Sequence, residues 1–309
     1  MFRALIISML ILGTIPMILA RPHVGILVWS WIGYMNPHRF TWSYTFAYSF
    51  PFALLIGVVT IVAFLVAIGR RREKMSIPFS ATTVFLVLLL VWQIITTVTA
   101  LDASVSVSEL ERTIKIQMII FMTMMLINNR ERLMQLVWVI TYSIGFFGIK
   151  GGAFAFATGG NYRIWGPSGS FIQGNNELAL AMIMILPFMW FLRSLVSNKW
   201  LKRAILIGMV LTVAAVLASY SRGALVAIMA MGFFLILKSR HRIPLLFAAL
   251  VFGIAVSTAL PDSWKERMST IGDAVSEEGS DRSFDGRLNA WRFALSLAAD
   301  RPLVGGGFG

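Results

Sequence analysis

The sequence contains no cysteine. That excludes disulfides, thiolate metal sites and a cysteine nucleophile. Acidic residues are scarce too: residues 1–260 hold 21 Lys/Arg against 6 Asp/Glu. Internal repeats and low-complexity tracts are absent. What is present is apolar, at 58% of residues and a mean hydropathy of +0.78, in long runs that recur along most of the chain. A soluble domain of 309 residues would not carry so many such runs. The expectation is an all-α fold, a polytopic membrane helix bundle. The net charge of +13 then belongs to membrane-flanking turns and gives no nucleic-acid signature. The first apolar stretch resembles the core of a signal peptide, but no small-x-small cleavage site follows it and further spans do, so it reads as retained.

Spans are predicted near 52–69, 79–100, 113–127, 133–149, 177–195, 204–219, 224–237 and 243–260. The connections 70–74, 128–132, 197–203 and 238–242 are short and basic and fall on alternate turns, which places them in the cytoplasm. The turns 101–112, 150–176 and 220–223, and everything after 260, then lie outside. Residues 4–20 and 24–35 are short for a bilayer core, and Arg21-Pro22 breaks them apart. Either both cross with the N-terminus outside, or they form one crossing plus a re-entrant piece with the N-terminus inside. Arg3 favours the second arrangement. In all, about nine to ten membrane segments are expected. Residues 1–260 make the bundle, and 261–309 begin a large external helical loop. The methionines at 118, 122, 124, 125, 182 and 184 read as packing filler.

Candidate chemistry lies in the external turns. Arg222, in Ser221-Arg222-Gly223, stands on the side where arginine is least expected. A guanidinium can clamp a phosphate with two parallel hydrogen bonds, although an arginine at a span end can also snorkel to headgroups. The loop 150–176 carries Gly151-Gly152, Gly159-Gly160 and Tyr162-Arg163-Ile164-Trp165, then Gly174-Asn175-Asn176-Glu177. Its glycines permit tight turns and close backbone approach, and its aromatics suit a sugar ring or the headgroup layer. Asn175-Asn176-Glu177 also reads as the cap of the next helix, with an acid in its first turn.

After Pro261, Trp264, Met268 and Ile271 form an apolar stripe expected to lie on the membrane surface. A polar, acidic linker follows. A second helix is expected from about Arg287 to Asp300, with Trp291, Ala294, Leu295 and Ala298 on one buried-facing stripe and Arg287 one turn before Trp291. The closing Gly305-Gly306-Gly307 run has no βαβ context and is no dinucleotide fingerprint.

Ser221-Arg222-Gly223-Ala224, Arg287-Leu288-Asn289-Ala290-Trp291 and the closing run from Asp300 to Gly309 resemble the O-antigen ligase and polymerase superfamily. Arg21-Pro22-His23-Val24-Gly25, Tyr34-Met35-Asn36-Pro37-His38-Arg39 and Gly174-Asn175-Asn176-Glu177-Leu178-Ala179 are similar to the O-glycosylation ligases associated with exosortase A systems in Gram-negative bacteria. The resemblance implies a multi-pass protein of the bacterial inner membrane with its site facing the periplasm. It implies a metal-independent glycosyltransferase of the GT-C type without a cofactor, using an undecaprenyl-diphosphate-linked glycan as donor and a protein or lipid as acceptor. Arg222 and Arg287 match the arginines that hold the diphosphate, and Arg163, Asn175 and Asn176 are carried as further candidate substrate contacts. The resemblance also implies a histidine base in a larger external loop, with more spans beyond it. The histidines here are His23, His38 and His241, so that base is expected beyond Gly309, and the chain reads as a C-terminally truncated member lacking it. A polymerase of the same superfamily and a transporter or flippase of lipid-linked sugars are the alternatives. The spans hold no buried carboxylate and, apart from Gln93 and Gln117, few polar groups near mid-span, which weakens transport.

Overall fold

A computed structural model describes residues 2–42, 45–74, 76–240, 242–244, 246–247, 250–251, 253, 261–262, 264–266, 268 and 282–308. Among them it is helical throughout: α1 Phe2–Leu12, α2 Ile15–Ala20, α3 His23–Met35, α4 Phe46–Ser49, α5 Phe52–Gly69, α6 Ala81–Val98, α7 Ala103–Leu126, α8 Arg130–Ala157, α9 Asn175–Leu195, α10 Lys199–Leu217, α11 Arg222–Lys238 and α12 Arg282–Asp300. A 3-10 turn, Pro37–Phe40, follows α3. Among the described residues, six stretches are long and apolar enough to cross a membrane: Phe2–Ala20 and helices α5, α6, α8, α9 and α10. The shorter α3 and α11 have 13 and 17 residues. Helix α7 carries Glu109, Glu111, Arg112 and Lys115. His241, Ile271, the linker before α12, Gly309 and most of the expected span 243–260 fall outside the described residues.

The chain forms two compact units. The first comprises 1–13, 27–53 and 134–277; the second comprises 14–26, 54–133 and 278–309.

The first unit is organised around α9. Leu178, Met182 and Ile185 are essentially inaccessible and pack with Phe147 of α8 and Ala215 and Val216 of α10. Glycines on α8 let α10 approach closely: a Cβ at Gly152 would lie 2.7 Å from Leu211 Cα, and one at Gly148 would lie 2.8 Å from Thr212 Cγ2. This overturns the expected loop start. Gly151-Gly152 serve helix packing, so α8 runs on to Ala157 and takes Lys150 with it. The turn glycines are Gly159 and Gly160, with φ of +63° and +76°. In the same unit, Arg3 lies 6.0 Å over the Trp42 ring. A cation–π contact with Trp42 gives the guanidinium a place beside the 36–42 loop.

In the second unit, Arg132 forms a two-pronged ion pair with Glu73, Nη2 to Oε1 at 2.6 Å and Nη1 to Oε2 at 3.3 Å. Arg132 Nη1 also donates to the Leu126 carbonyl at 2.8 Å, near the end of α7. The basic connections 70–74 and 128–132 thus sit at one end of their helices, as alternate turns require. Helix α7 starts at Ala103, ten residues before the expected span, because the Asp102 carboxylate accepts from the Ser104 and Val105 amides. The closing glycines seat on the α6–α7 turn. The Leu101 amide donates to the Gly306 carbonyl at 2.8 Å, and Arg301 Nη2 donates to the Thr99 carbonyl at 2.8 Å. A Cβ at Gly307 would lie 2.6 Å from Ala100 Cβ. Helix α12 differs from its expectation: it begins at Arg282, and Trp291 and Leu295 are exposed, as is Arg287.

Candidate functional site

The last carbonyls of a helix have no partner within it and must be satisfied from outside. At the end of α10 three successive carbonyls are taken by three different segments. Leu217 accepts from Trp264 Nε1 at 2.9 Å, Ala218 from the Ile164 amide at 3.1 Å, and Ser219 from Asn175 Nδ2 at 2.8 Å. The start of α9, the loop carrying Arg163 and Trp165, and the segment after Pro261 are thereby gathered around the turn that leads to Arg222. The stripe expected on the membrane surface is instead partly turned inward: Trp264 is half-buried and Met268 is buried.

The turn itself is constrained. Tyr220 has φ of +56°, a left-handed conformation unusual for an aromatic residue. Its ring is buried, and its hydroxyl donates to the Gly160 carbonyl at 2.9 Å. Ser221 then caps α11, its Oγ accepting from the Ala224 amide at 3.1 Å. Arg222 is therefore the first residue of α11 and is half-buried. A cation there opposes the positive end of the helix dipole.

The other predicted residues divide by role. Asn175 is buried, and its amide group holds Ser219; Gly174, with no side chain, occupies the cap position assigned to the Asn-Asn-Glu run. Asn176 is exposed, and Glu177 stands in the first turn of α9 as expected. Arg163 is half-buried, with its guanidinium 5.5 Å over the Trp165 ring. Arg287 belongs to the second unit and lies exposed on α12.

Among the described residues, Arg163 and Trp165 line a pocket of ≈ 260 Å³ with Phe40, Phe147, Lys150 and Phe154, and none of those lining it is acidic. The Lys150 ammonium lies 5.9 Å from the Phe40 ring centre. As a loop residue Lys150 would be unremarked, and it drew no attention in the sequence. On α8 it sits two turns inside the helix end. A 28-residue helix is about 42 Å long, which puts Lys150 about 10 Å past its midpoint.

Beside this end of the unit, Arg39 lies 4.4 Å over the Tyr48 ring. His38 is buried, with Phe52 5.9 Å from its ring centre. Desolvation, helped by the neighbouring Arg39 charge, holds the His38 imidazolium below the ordinary histidine range, so the ring is neutral at neutral pH.

Comparison with known families decides the affiliation. A model described as a family of unknown function, DUF5935, matches residues 2–197, well over half of the 309-residue chain. The chain belongs to the DUF5935 family. A second model, described as O-antigen ligase, matches residues 207–309 and supports affiliation with the O-antigen ligase superfamily. It supports a membrane protein of ligase- or polymerase-type transferase function. No curated protein and no solved structure matches the chain. Lys150, Arg163 and Asn175 lie in the DUF5935 segment, whereas Arg222 and Arg287 lie in the O-antigen ligase segment.

Proposed function

We propose that this chain is a membrane glycosyltransferase of the O-antigen ligase type. It transfers a glycan from an undecaprenyl-diphosphate carrier to a protein or lipid acceptor at the periplasmic face of a bacterial inner membrane, without a metal. The observation that carries the reading is the O-antigen ligase match over residues 207–309, which contains both Arg222 and Arg287. The α8–α11 geometry supports it: Arg222 and Arg163 are carried on segments bonded to one turn. Displacing a diphosphate requires fixed cations where negative charge develops, in a site that excludes water. Arginines held at the mouth of a helix bundle provide that. Residues 1–260 form the membrane bundle in this reading, and 261–309 belong to the periplasmic loop. The motifs around Arg21-Pro22-His23 and Gly174-Asn175-Asn176-Glu177 favour the exosortase-associated O-glycosylation ligases over a polymerase, and Asn176 remains a donor-side contact in the proposal.

Arg222→Lys tests the reading. A headgroup anchor tolerates lysine, because either cation snorkels. A diphosphate clamp loses its planar fork and one charged hydrogen bond, worth about 1.5–3 kcal/mol, and transfer slows by roughly ten- to a hundredfold. Transfer from a lipid-linked glycan is measured in membranes with the corresponding substitution in a relative whose external loop carries a histidine, with protein levels matched by blot. A lysine variant as active as the wild type would refute the site.

A further inference from the structure

We infer that a groove between α8, α9 and α10 is a binding site for an anionic glycerophospholipid of the bilayer, with one acyl chain lying in the groove. Among the described residues it runs along α8 from Trp138 to Ile149, between Leu192 of α9 and Leu201 and Gly208 of α10. Tyr142, Leu201 and Ala204 are exposed, so the groove is open along its outer side. It closes at Gly208, where a Cβ would lie 3.3 Å from Ile149 Cδ1 and 3.3 Å from Met189 Cε. The stretch from Trp138 to Ile149 is about 16 Å of helix, so a volume of ≈ 260 Å³ leaves a mean section of about 16 Å². That is comparable to one hydrocarbon chain and far too narrow for a further helix, which is about 10–12 Å across.

Two polar features define the head of the ligand. The sequence holds no acidic residue between Glu177 and Asp262, yet Arg193, Lys199, Lys202 and Arg203 gather where α9 ends and α10 begins. Arg193 and Lys202 adjoin Leu192 and Leu201, which line the groove. Arg193 is half-buried, its guanidinium lies 5.1 Å over the Trp190 ring, and its Nε is buried without a hydrogen-bond partner. Among the described residues none of the four cations forms an ion pair. Basic clusters between membrane helices complement anionic lipid heads. The second feature is Thr141, which lines the groove at 6% exposure with its Oγ1 unpartnered. Helices α8 and α10 run in one direction, with Gly148 against Thr212 and Gly151 against Ala215. Trp138 and Thr141 therefore fall at the level of Leu201 to Ile205, the basic end. A buried hydroxyl there is costly unless a ligand supplies an acceptor. A glycerophospholipid carries an ester carbonyl just below its phosphate, whereas a prenyl chain has no acceptor at that place. The groove's basic end lies at the start of α10 and Arg222 follows its end, so this lipid is a resident of the bilayer, distinct from a transferred donor. The inference does not rest on the transferase reading.

The test uses the full chain stripped of lipid in a neutral detergent. Native mass spectrometry reads bound lipid, and apparent Tm reads its effect on the fold. The probes are phosphatidylglycerol, phosphatidylcholine with the same acyl chains, diether phosphatidylglycerol and undecaprenyl phosphate. The wild type retains phosphatidylglycerol, gains Tm from it, and binds phosphatidylcholine about tenfold more weakly. Ala204→Phe places a ring in the groove from an exposed position and weakens phosphatidylglycerol by at least about tenfold. Arg193→Gln weakens it about fivefold and narrows its advantage over phosphatidylcholine. Thr141→Val weakens the diester lipid by about three- to tenfold and leaves the diether lipid unchanged. Equal affinity of Ala204→Phe and wild type would overturn the groove as the site. Should that variant fail to fold, unchanged affinity in both Arg193→Gln and Thr141→Val overturns it instead. Phosphatidylcholine binding as tightly as phosphatidylglycerol refutes an anionic ligand, and undecaprenyl phosphate displacing phosphatidylglycerol at equal concentration refutes an ester lipid. A groove filled by the rest of the chain or by a second copy would show neither lipid retention nor a rise in Tm, and would also overturn the proposal.

Discussion

Replacing Gly152 by alanine pits helix propensity against packing, and the geometry decides which wins. In a helix interior, Gly→Ala gains up to about 1 kcal/mol. At Gly145 the nearest obstacle to a new Cβ is Ile185 Cδ1 at 3.7 Å, an ordinary contact, so that gain is realised in full. At Gly152 the Cβ meets the Leu211 carbonyl carbon at 2.5 Å and its Cα at 2.7 Å. Carbon atoms settle at about 3.5–4.0 Å, so α10 must retreat by about 1 Å. No side-chain rotation can relieve this, because the obstacle is backbone. Overpacking of this kind costs about 1–3 kcal/mol, which leaves Gly152→Ala destabilised by up to about 2 kcal/mol after the propensity gain. Gly148→Ala falls between the two, since its obstacle is the Thr212 side chain, with Oγ1 nearest and Cγ2 at 2.8 Å, and Thr212→Ala removes both atoms. Membrane proteins commonly unfold irreversibly, so apparent Tm values are compared in detergent at one scan rate. The expected order is Gly145→Ala, wild type, Gly148→Ala, Gly152→Ala, with Thr212→Ala raising Gly148→Ala but not Gly152→Ala. A Gly152→Ala protein at least as stable as Gly145→Ala would refute the close approach of α8 and α10.

Asn175→Ala leaves the buried Ser219 carbonyl without its side-chain donor. It should cost about 1–3 kcal/mol and be seen as a lower apparent Tm, whereas Asn176→Ala on the exposed neighbour should change Tm little. His38 contributes a pH dependence of definite sign. Its folded pKa lies below 6.5 and its unfolded one near that value, so the unfolded chain binds the proton first and stability falls as pH drops below 6.5. The wild type should therefore lose more Tm between pH 7.5 and pH 5 than His38→Phe does, and equal losses would show that His38 carries no share.

Sequence patterning made the helices and the alternation of basic turns legible, because a bilayer imposes length and charge asymmetry directly. It misled where one residue type serves two ends. Gly151-Gly152 and Gly159-Gly160 look alike in the chain, yet the first pair packs against α10 and Ile164 while the second makes the turn, and only the neighbouring helix distinguishes them. That single ambiguity hid Lys150. Tyr220 was overlooked for a related reason: nothing in a tyrosine before Ser-Arg-Gly announces a left-handed backbone held by a hydrogen bond sixty residues away. Arg222 was legible because its cost is topological. The motif from Arg301 to Phe308 was visible as a pattern without a role, since its partner is the α6–α7 turn two hundred residues upstream.

The clustering of donors on the end of α10 bears on how the chain can be recombined. The two family segments adjoin between residues 197 and 207, an obvious seam for chimeras that exchange one half between relatives. Yet the bonds at Ala218 and Ser219 cross that seam. What the downstream half contributes there is main chain, which any relative with the same turn supplies. Upstream, the Ile164 contribution is also main chain, but the other is a specific amide, Asn175. Tyr220 answers it from the other side with its hydroxyl on the Gly160 carbonyl, so compatibility is reciprocal: a foreign upstream half must bring an asparagine at position 175, and a foreign downstream half a tyrosine at position 220.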